Sequence, residues 1–216
     1  IMQTLLSVIL KMNASQTTQL EDDELVSPNR IVGCMKTDTW IWEKVPNNFI
    51  LYYNKVPKNK NKELLLMKDL GHGAYGRAFL ACTTSGHTCA MKFTTKDNAT
   101  KEMEAWHGVY PELKEQVYVR NAGGKYTFAL IMPYAKHIPV PRTPQDITNV
   151  NNVIQRIANA GYLHTDLHWH HVGIIHLENQ QEKYVIYDWS NYEVYNKHNQ
   201  TTIGESIQKM RNSLEI

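Results

Sequence analysis

The residues of this chain that could do chemistry fall into four short clusters. The first, Gly71-His72-Gly73-Ala74-Tyr75-Gly76, lies between two segments that read as strands. Glycines lack side chains, so backbone N–H groups at such a hairpin tip can approach phosphate oxygens. A dinucleotide-binding turn would instead need the glycines to open a helix. The second, Cys89-Ala90-Met91-Lys92, ends a strand whose alternation puts Ala90 and Lys92 on one face. A Lys beside a small Ala suits a flat base packed on the Ala and a phosphate held by the ammonium, with Ala78 as the opposite wall. The plainer alternative is a Lys that snorkels out past an edge strand. An inward Lys needs a carboxylate. On the next helix Glu102 shares a stripe with Trp106 and Val109 and is the expected partner, with Glu104 as the alternative.

The third cluster is His164-Thr165-Asp166-Leu167-His168-Trp169-His170-His171, directly after a helical segment. The fourth is Tyr187-Asp188-Trp189-Ser190, at the end of an apolar run. Carboxylates at the edges of two hairpins can meet across a cleft, one orienting a hydroxyl and the other holding a cation.

The elements that must position these groups are legible in outline. One or two strands fall within Thr39–Val56, followed by a basic turn with Lys58, Lys60 and Lys62. Further strands are predicted over Glu63–Leu70, Arg77–Thr83, His87–Thr94, Gln116–Arg120 and Tyr126–Met132, with a hairpin turn at Thr84-Ser85-Gly86. A helix is expected from Asn98 as N-cap to Tyr110, stopped by Pro111. The period of Ile147, Val150, Ile154, Ile157 and Ala158 predicts a helix over Gln145–Ala160 that ends at Gly161. A hairpin follows from Val172–Leu177 and Tyr184–Tyr187, then a closing helix over Ile203–Leu214. This order is that of an α+β fold.

The composition narrows the function classes. The 216 residues carry 23 Lys+Arg against 21 Asp+Glu, which argues against a protein held to nucleic acid by a basic surface. Three cysteines, Cys34, Cys82 and Cys89, are too few and scattered for a disulfide scaffold or a four-Cys zinc site, so an intracellular setting is the default. Two buried thiols are expected at Cys82 and Cys89, although a facing pair is conceivable. The apolar stretch Ile1–Met12 is too short for a membrane span, and Asn13–Arg30, with Glu21 to Glu24 acidic throughout, reads as a linker. The chain opens on Ile1, as expected of a piece of a longer product. Sequons at Asn13, Asn98 and Asn199 carry little meaning without a secretory signal.

Taken in order, the glycine hairpin, the Ala-x-Lys strand, the helix Glu, the His-x-Asp loop and the strand-terminal Asp resemble the protein-kinase-like family. The resemblance runs from Glu63 to about Asn191. It implies a bilobal fold with an N-terminal extension over residues 1–38, a mainly antiparallel N-lobe over 39–132 and a truncated helical C-lobe over 133–216. It implies ATP with Mg²⁺ or Mn²⁺ and transfer of the γ-phosphate to a hydroxyl, a protein Ser or Thr first of all. Gly71, Gly73, Gly76, Ala78 and Ala90 would then line the nucleotide, and Lys92, held by Glu102, would bind its α- and β-phosphates. Leu130-Ile131-Met132-Pro133-Tyr134 resembles the hinge, with Met132 as gatekeeper and Tyr134 beside the base. Asp166 would be the catalytic base and Asp188 a metal ligand.

Departures accompany the resemblance. His171 stands where the family has a metal-binding Asn, Trp189-Ser190 replaces Phe-Gly, and no Ala-Pro-Glu follows. Imidazole is a poor ligand for Mg²⁺, which shifts the expected preference toward Mn²⁺. The pattern Asp166-x-x-Trp169-x-His171-Val172 is similar to kinase-like domains of Crinkler-type effectors of fungi and oomycetes. Two alternatives remain open. One is a pseudokinase, a nucleotide-binding or scaffolding module. The other is a metal enzyme using His164 and Asp166 with His176 or His198 as an iron triad, or His164, Asp166, His168 and His171 around zinc.

Overall fold

The computed structural model describes residues 40–44, 50–54, 64–83, 88–122, 128–177 and 181–216. They form an α+β fold of mainly antiparallel sheets with a few helices. The described residues divide into two compact units, those up to Ala99 with Val119–Met132, and Thr100–Tyr118 with Pro133–Ile216. The stretches 1–39, the basic turn over 55–63 and the turn over 84–87 lie outside the described residues.

The first unit is built on a seven-stranded sheet. Its strands are β1 (Trp40–Lys44), β2 (Ile50–Asn54), β3 (Leu64–Gly73), β4 (Gly76–Thr83), β5 (Thr88–Thr94), β6 (Tyr118–Asn121) and β7 (Phe128–Pro133), in the order β1-β2-β3-β4-β5-β7-β6. From β1 to β5 each strand pairs antiparallel with the next. The β4–β5 register pairs Phe79 with Met91 and Ala81 with Cys89, and it pairs Ala78 with Lys92 and Leu80 with Ala90. Side chains alternate across a strand, so the first two pairs share one face and the other two share the opposite one. The Phe79 and Phe93 rings meet edge-on at 5.7 Å on the first face. By the same register Cys82 and Cys89 lie on opposite faces. Both are buried free thiols, and burial pushes the Cys89 thiol up to about 12.

The second unit starts in helix α1 (Lys96–Val109), whose first turn belongs to the first unit. The helix begins three residues earlier than a cap at Asn98 would place it. Thr95 is the capping residue, its hydroxyl accepting from Asn98 N–H at 3.3 Å, so the expected cap sits inside the first turn. At the other end Tyr110 has left the helical region, as a residue preceding Pro111 tends to do. The chain continues through a 3₁₀ turn (Pro111–Gln116), β8 (Lys136–His137), α2 (Pro144–Asn159), β9 (Tyr162–His164), a 3₁₀ turn (Trp169–His171), β10 (Val172–His176), β11 (Glu182–Ile186), β12 (Tyr192–Val194) and α3 (Gln200–Leu214). Strands β11-β10-β8 form one sheet and β12-β9 a two-stranded ribbon.

Helix α2 opens on a capping box. The Thr143 hydroxyl accepts from Asp146 N–H at 3.1 Å, and the Asp146 carboxylate accepts from Thr143 N–H at 2.7 Å. Its buried residues Val150, Val153, Ile154, Ile157 and Ala158 follow the helical period. Helix α3 starts three residues before the expected Ile203 because the Asn199 side chain caps it, accepting from Thr201 and Thr202 N–H. Strands β8, β9 and β12 escape the sequence reading. Two or three residues are too few to show alternation.

Two constraints aim the site. The buried Tyr110 hydroxyl accepts from Ile186 N–H at 2.8 Å and donates to Ile186 C=O at 3.2 Å, which locks the end of β11 two residues ahead of Asp188. Gly161 turns the chain from α2 into β9 at φ +86°, and a Cβ there would lie 2.8 Å from the Tyr195 carbonyl oxygen. Both the backbone conformation and the space require glycine. Gly161→Ala is therefore expected to destabilise the protein by about 1–3 kcal/mol. An unchanged urea midpoint would show that β9 is not held by this turn.

Candidate functional site

In the second unit the two carboxylates of the sequence pattern arrive at one end of the β10–β11 hairpin. The register sets Val172 opposite Ile186, and a further bond from Tyr187 N–H to His171 C=O at 2.9 Å extends the ladder one step. The loop ending at His171 and the segment starting at Tyr187 are thereby neighbours, which is why Asp166 and Asp188 belong to one site.

His171 joins them. Its Nδ1 lies 2.8 Å from the Asp166 carbonyl oxygen, and a carbonyl only accepts, so Nδ1 carries the proton. Its Nε2 lies 3.7 Å from Asp188 Oδ2. Burial, followed by the neighbouring His170, pushes the His171 pKa down to about 4, against a smaller upward pull from Asp188. A neutral ring with Nδ1–H presents a bare lone pair at Nε2. That lone pair and a carboxylate oxygen face each other with no proton to share, an arrangement a divalent cation would satisfy.

Asp188 stands at φ +60°, a left-handed conformation that costs a non-glycine residue roughly 1–3 kcal/mol. The surroundings hold it there. His164 Nε2 lies 3.3 Å from the Tyr187 carbonyl oxygen and 3.1 Å from that of Asp188, so this nitrogen carries the proton and donates to both. The fully buried Trp189 donates its indole N–H to Ile186 C=O at 3.0 Å and packs against His164, Tyr162 and Tyr192. Ser190 Oγ donates to Asp188 Oδ1 at 2.7 Å. One carboxylate oxygen is thus oriented by Ser190 and the other faces His171. Burial lowers the His164 pKa as well, and its Nδ1 is buried with no hydrogen bond among the described residues.

The Asp166 side chain is 55% exposed, and its Oδ1 lies 3.1 Å from His168 Nε2. The Asp188 side chain is 39% exposed, so Asp166 is the more accessible of the two. The His168 and His170 rings stack at 5.2 Å. The Tyr187 hydroxyl donates to the His170 carbonyl at 2.6 Å and lies 3.1 Å from His137 Nδ1, tying the outer edge of this loop to β8.

The first unit holds the glycine hairpin, Ala78, Ala90, Lys92 and Met132, whereas Glu102 and Tyr134 belong to the second. Gly73 pairs with Gly76 across a two-residue turn of Ala74 and Tyr75, with Gly71 at φ +125° and Gly76 at φ +146°. A Cβ on Gly71 or Gly73 would meet nothing within 4 Å, whereas one on Gly76 would run into the Phe93 carbonyl oxygen. The Asp69 carboxylate fixes the base of the hairpin. One oxygen accepts from Gly71 N–H at 2.9 Å, and the other from Arg77 Nε at 2.8 Å. The Thr94 hydroxyl donates to the Tyr75 carbonyl, strapping the tip to β5. Lys92 is 7% exposed and shares its sheet face with Ala78, directly across from it, and with Ala90. Ala78 therefore lies beside the ammonium stem on the same face.

On α1, Glu102 is 1% exposed and Glu104 is exposed, so the buried carboxylate of this helix is Glu102. Met132, at the end of β7, is buried, and Tyr134, just after it, is half-buried. Sequence reasoning gave no structural role to Asp69, Tyr110, Tyr187 or Ser190. Asp69 carried a signal, an Asp two residues before a glycine, which is an Asx-turn pattern. The partner of Tyr110 lies 76 residues away along the chain and those of Tyr187 lie 17 and 50 away, beyond any local pattern.

Among the described residues no three His, Cys, Asp or Glu side chains converge as a metal-holding group. His164 spends Nε2–H on two carbonyls, and the arrangement supports neither the zinc set nor the iron triad. No helix among these residues is long and apolar enough to cross a membrane. Residues 69–175 match the model of DUF5898, described as a family of unknown function. The matched stretch contains the glycine hairpin, Lys92, Glu102, Asp166 and His171. No curated protein matches the chain.

The depressed His171 pKa has a consequence for folding. Between its ordinary value of 6.5 and about 4 the unfolded chain binds a proton that the folded ring refuses, so stability is full above 6.5 and falls as the pH drops through this window. His164 acts in the same direction. Urea midpoints of the metal-free protein should fall from pH 7 to pH 4, and His171→Asn should flatten the dependence. A slope unchanged in that variant would mean that His171 is protonated in the folded protein.

Proposed function

We propose that this chain is a divergent protein-kinase-like phosphotransferase of bilobal type that binds ATP with a divalent cation and transfers the γ-phosphoryl group to a hydroxyl, in the first instance that of a protein Ser or Thr. The observation that carries the reading is the His171 bridge between the Asp166 carbonyl and the Asp188 carboxylate. A cation held jointly with phosphates needs only one or two protein ligands, and Asp188, oriented by Ser190 and facing His171, would be the metal-holding carboxylate while the more exposed Asp166 faces substrate.

The donor set fits such an ion. Asp188 Oδ2 and His171 Nε2 would hold it, and imidazole nitrogen favours Mn²⁺ over Mg²⁺. ATP would supply the phosphoryl group, and the cation would neutralise charge that develops on it. The work of the chain is positioning. Lys92 would hold the α- and β-phosphates, with Glu102 as its buried carboxylate. The backbone N–H groups around Gly71, Gly73 and Gly76 would cover phosphate oxygens, where the open space at Gly71 and Gly73 supports a close approach. Ala78 and Ala90 would leave room for the base, with Met132 and Tyr134 at its far edge. Asp166 would accept the proton of the attacking hydroxyl, with His168 orienting its Oδ1.

ATP with Mn²⁺ is expected to raise the melting temperature of the wild type, and Lys92→Ala should abolish that rise. Asp166→Asn should keep the rise and lose transfer. Binding without transfer in the wild type would make the chain a pseudokinase, and no rise at all would remove the nucleotide reading. A second outcome concerns the ion. At saturating metal, transfer should run several-fold faster with Mn²⁺ than with Mg²⁺, and His171→Asn should narrow or reverse the ratio. Equal rates in the wild type would show that His171 is not a ligand.

A further inference from the structure

Arg142 lies between Pro141 and the α2 capping residue Thr143, and its guanidinium carbon sits 3.9 Å from the centre of the Trp169 ring. The ring is held in turn, because Trp169 Nε1–H donates to the Leu214 carbonyl at the end of α3 at 3.0 Å. Arg142 Nε is buried without a hydrogen-bond partner, while the residue as a whole is part-exposed. Among the described residues Arg142 makes no hydrogen bond or ion pair. The nearby carboxylate of Asp146 does not serve. Its oxygens already accept from Thr143 N–H, the Thr143 hydroxyl and the Tyr184 hydroxyl at 2.7, 2.7 and 2.6 Å.

A guanidinium presents five donors in a rigid fork that matches oxyanions. Here it is fixed by an aromatic face, drawn partly out of water and left without an acceptor. Nε is closed off, so the outer N–H groups of the part-exposed fork are the ones that can pair with an anion carrying two coplanar oxygens.

We propose that Arg142, oriented on Trp169, is an oxyanion-binding residue that takes a phosphate or carboxylate group of a ligand presented beside the Asp166–Trp169 loop. The proposal uses none of the nucleotide residues named above and does not depend on that reading.

The test follows the indole N–H resonance of Trp169, assigned with Trp169→Phe, as inorganic phosphate or acetate replaces chloride at constant ionic strength. The wild type should show a saturable shift with at least one of the two, and the stronger of them identifies the group. Arg142→Met should abolish the shift while the other indole resonances stay in place. Arg142→Lys, which keeps the charge and loses the fork, should weaken binding by about tenfold, the loss of roughly one good hydrogen bond. Lys92→Ala should leave the shift intact, which separates this site from any phosphate bound by the proposed nucleotide residues. If Arg142→Met unfolds the chain, Arg142→Lys alone decides. A wild type that responds to neither anion beyond chloride, or a variant at Arg142 that responds as the wild type does, overturns the proposal and leaves Arg142 as packing over Trp169.

Discussion

The hydrogen bond from His171 Nδ1–H to the Asp166 carbonyl is the contact on which the proposed cation site of the second unit depends. It fixes the tautomer of a buried imidazole, and the tautomer decides what the other nitrogen can do. With the proton on Nδ1, Nε2 is an acceptor aimed at Asp188 Oδ2. With the proton on Nε2, the same ring would donate to Asp188 and hold its carboxylate without any ion. A single backbone carbonyl thus decides whether the nitrogen facing Asp188 accepts or donates.

That selection works only if Asp188 stays where it is, in a backbone conformation that is unfavourable for an aspartate. Several independent contacts hold it. Tyr110 clamps Ile186, Trp189 returns its indole N–H to the same residue, and His164 donates to the two carbonyls that follow. These groups are buried, so breaking any one leaves a polar atom without water. Past Ser190 the chain turns at once into β12, paired with β9, and Thr165 N–H bonds the Asn191 carbonyl. Trp189 and Ser190 therefore contribute more than packing. The indole N–H and the serine hydroxyl each add a hydrogen bond that phenylalanine and glycine could not make.

In the first unit the same economy of means shapes the glycine hairpin. Register shifts in β3 at Leu66/Lys68 and Asp69/Gly71 bend the strand just before the turn, and Asp69 closes the bend by accepting from Gly71 and Arg77. The three glycines then play two opposite roles. Gly76 is required by its own neighbours, because any side chain there meets the Phe93 carbonyl, while Gly71 and Gly73 leave open space. A hairpin that is only flexible would not need Asp69 and Thr94 to pin both its base and its tip.

The sequence by itself determined the element types and most of their spans. Period-two alternation, helical stripes and turn residues are local, and local interactions suffice to express them. The stripe containing Glu102 and the alternation pairing Ala90 with Lys92 were legible for that reason, as was the turn at Gly161. Caps shifted by a few residues, as at Thr95 and Asn199, because more than one nearby residue can serve as cap and only the folded backbone chooses. The tertiary structure alone decided that His171 bridges Asp166 and Asp188, that Tyr110 clamps Ile186 and that Arg142 lies on Trp169. Each of these joins residues whose geometry depends on how the β10–β11 ladder and its flanking turns register, and register is set by packing across the whole unit rather than by any one stretch of chain.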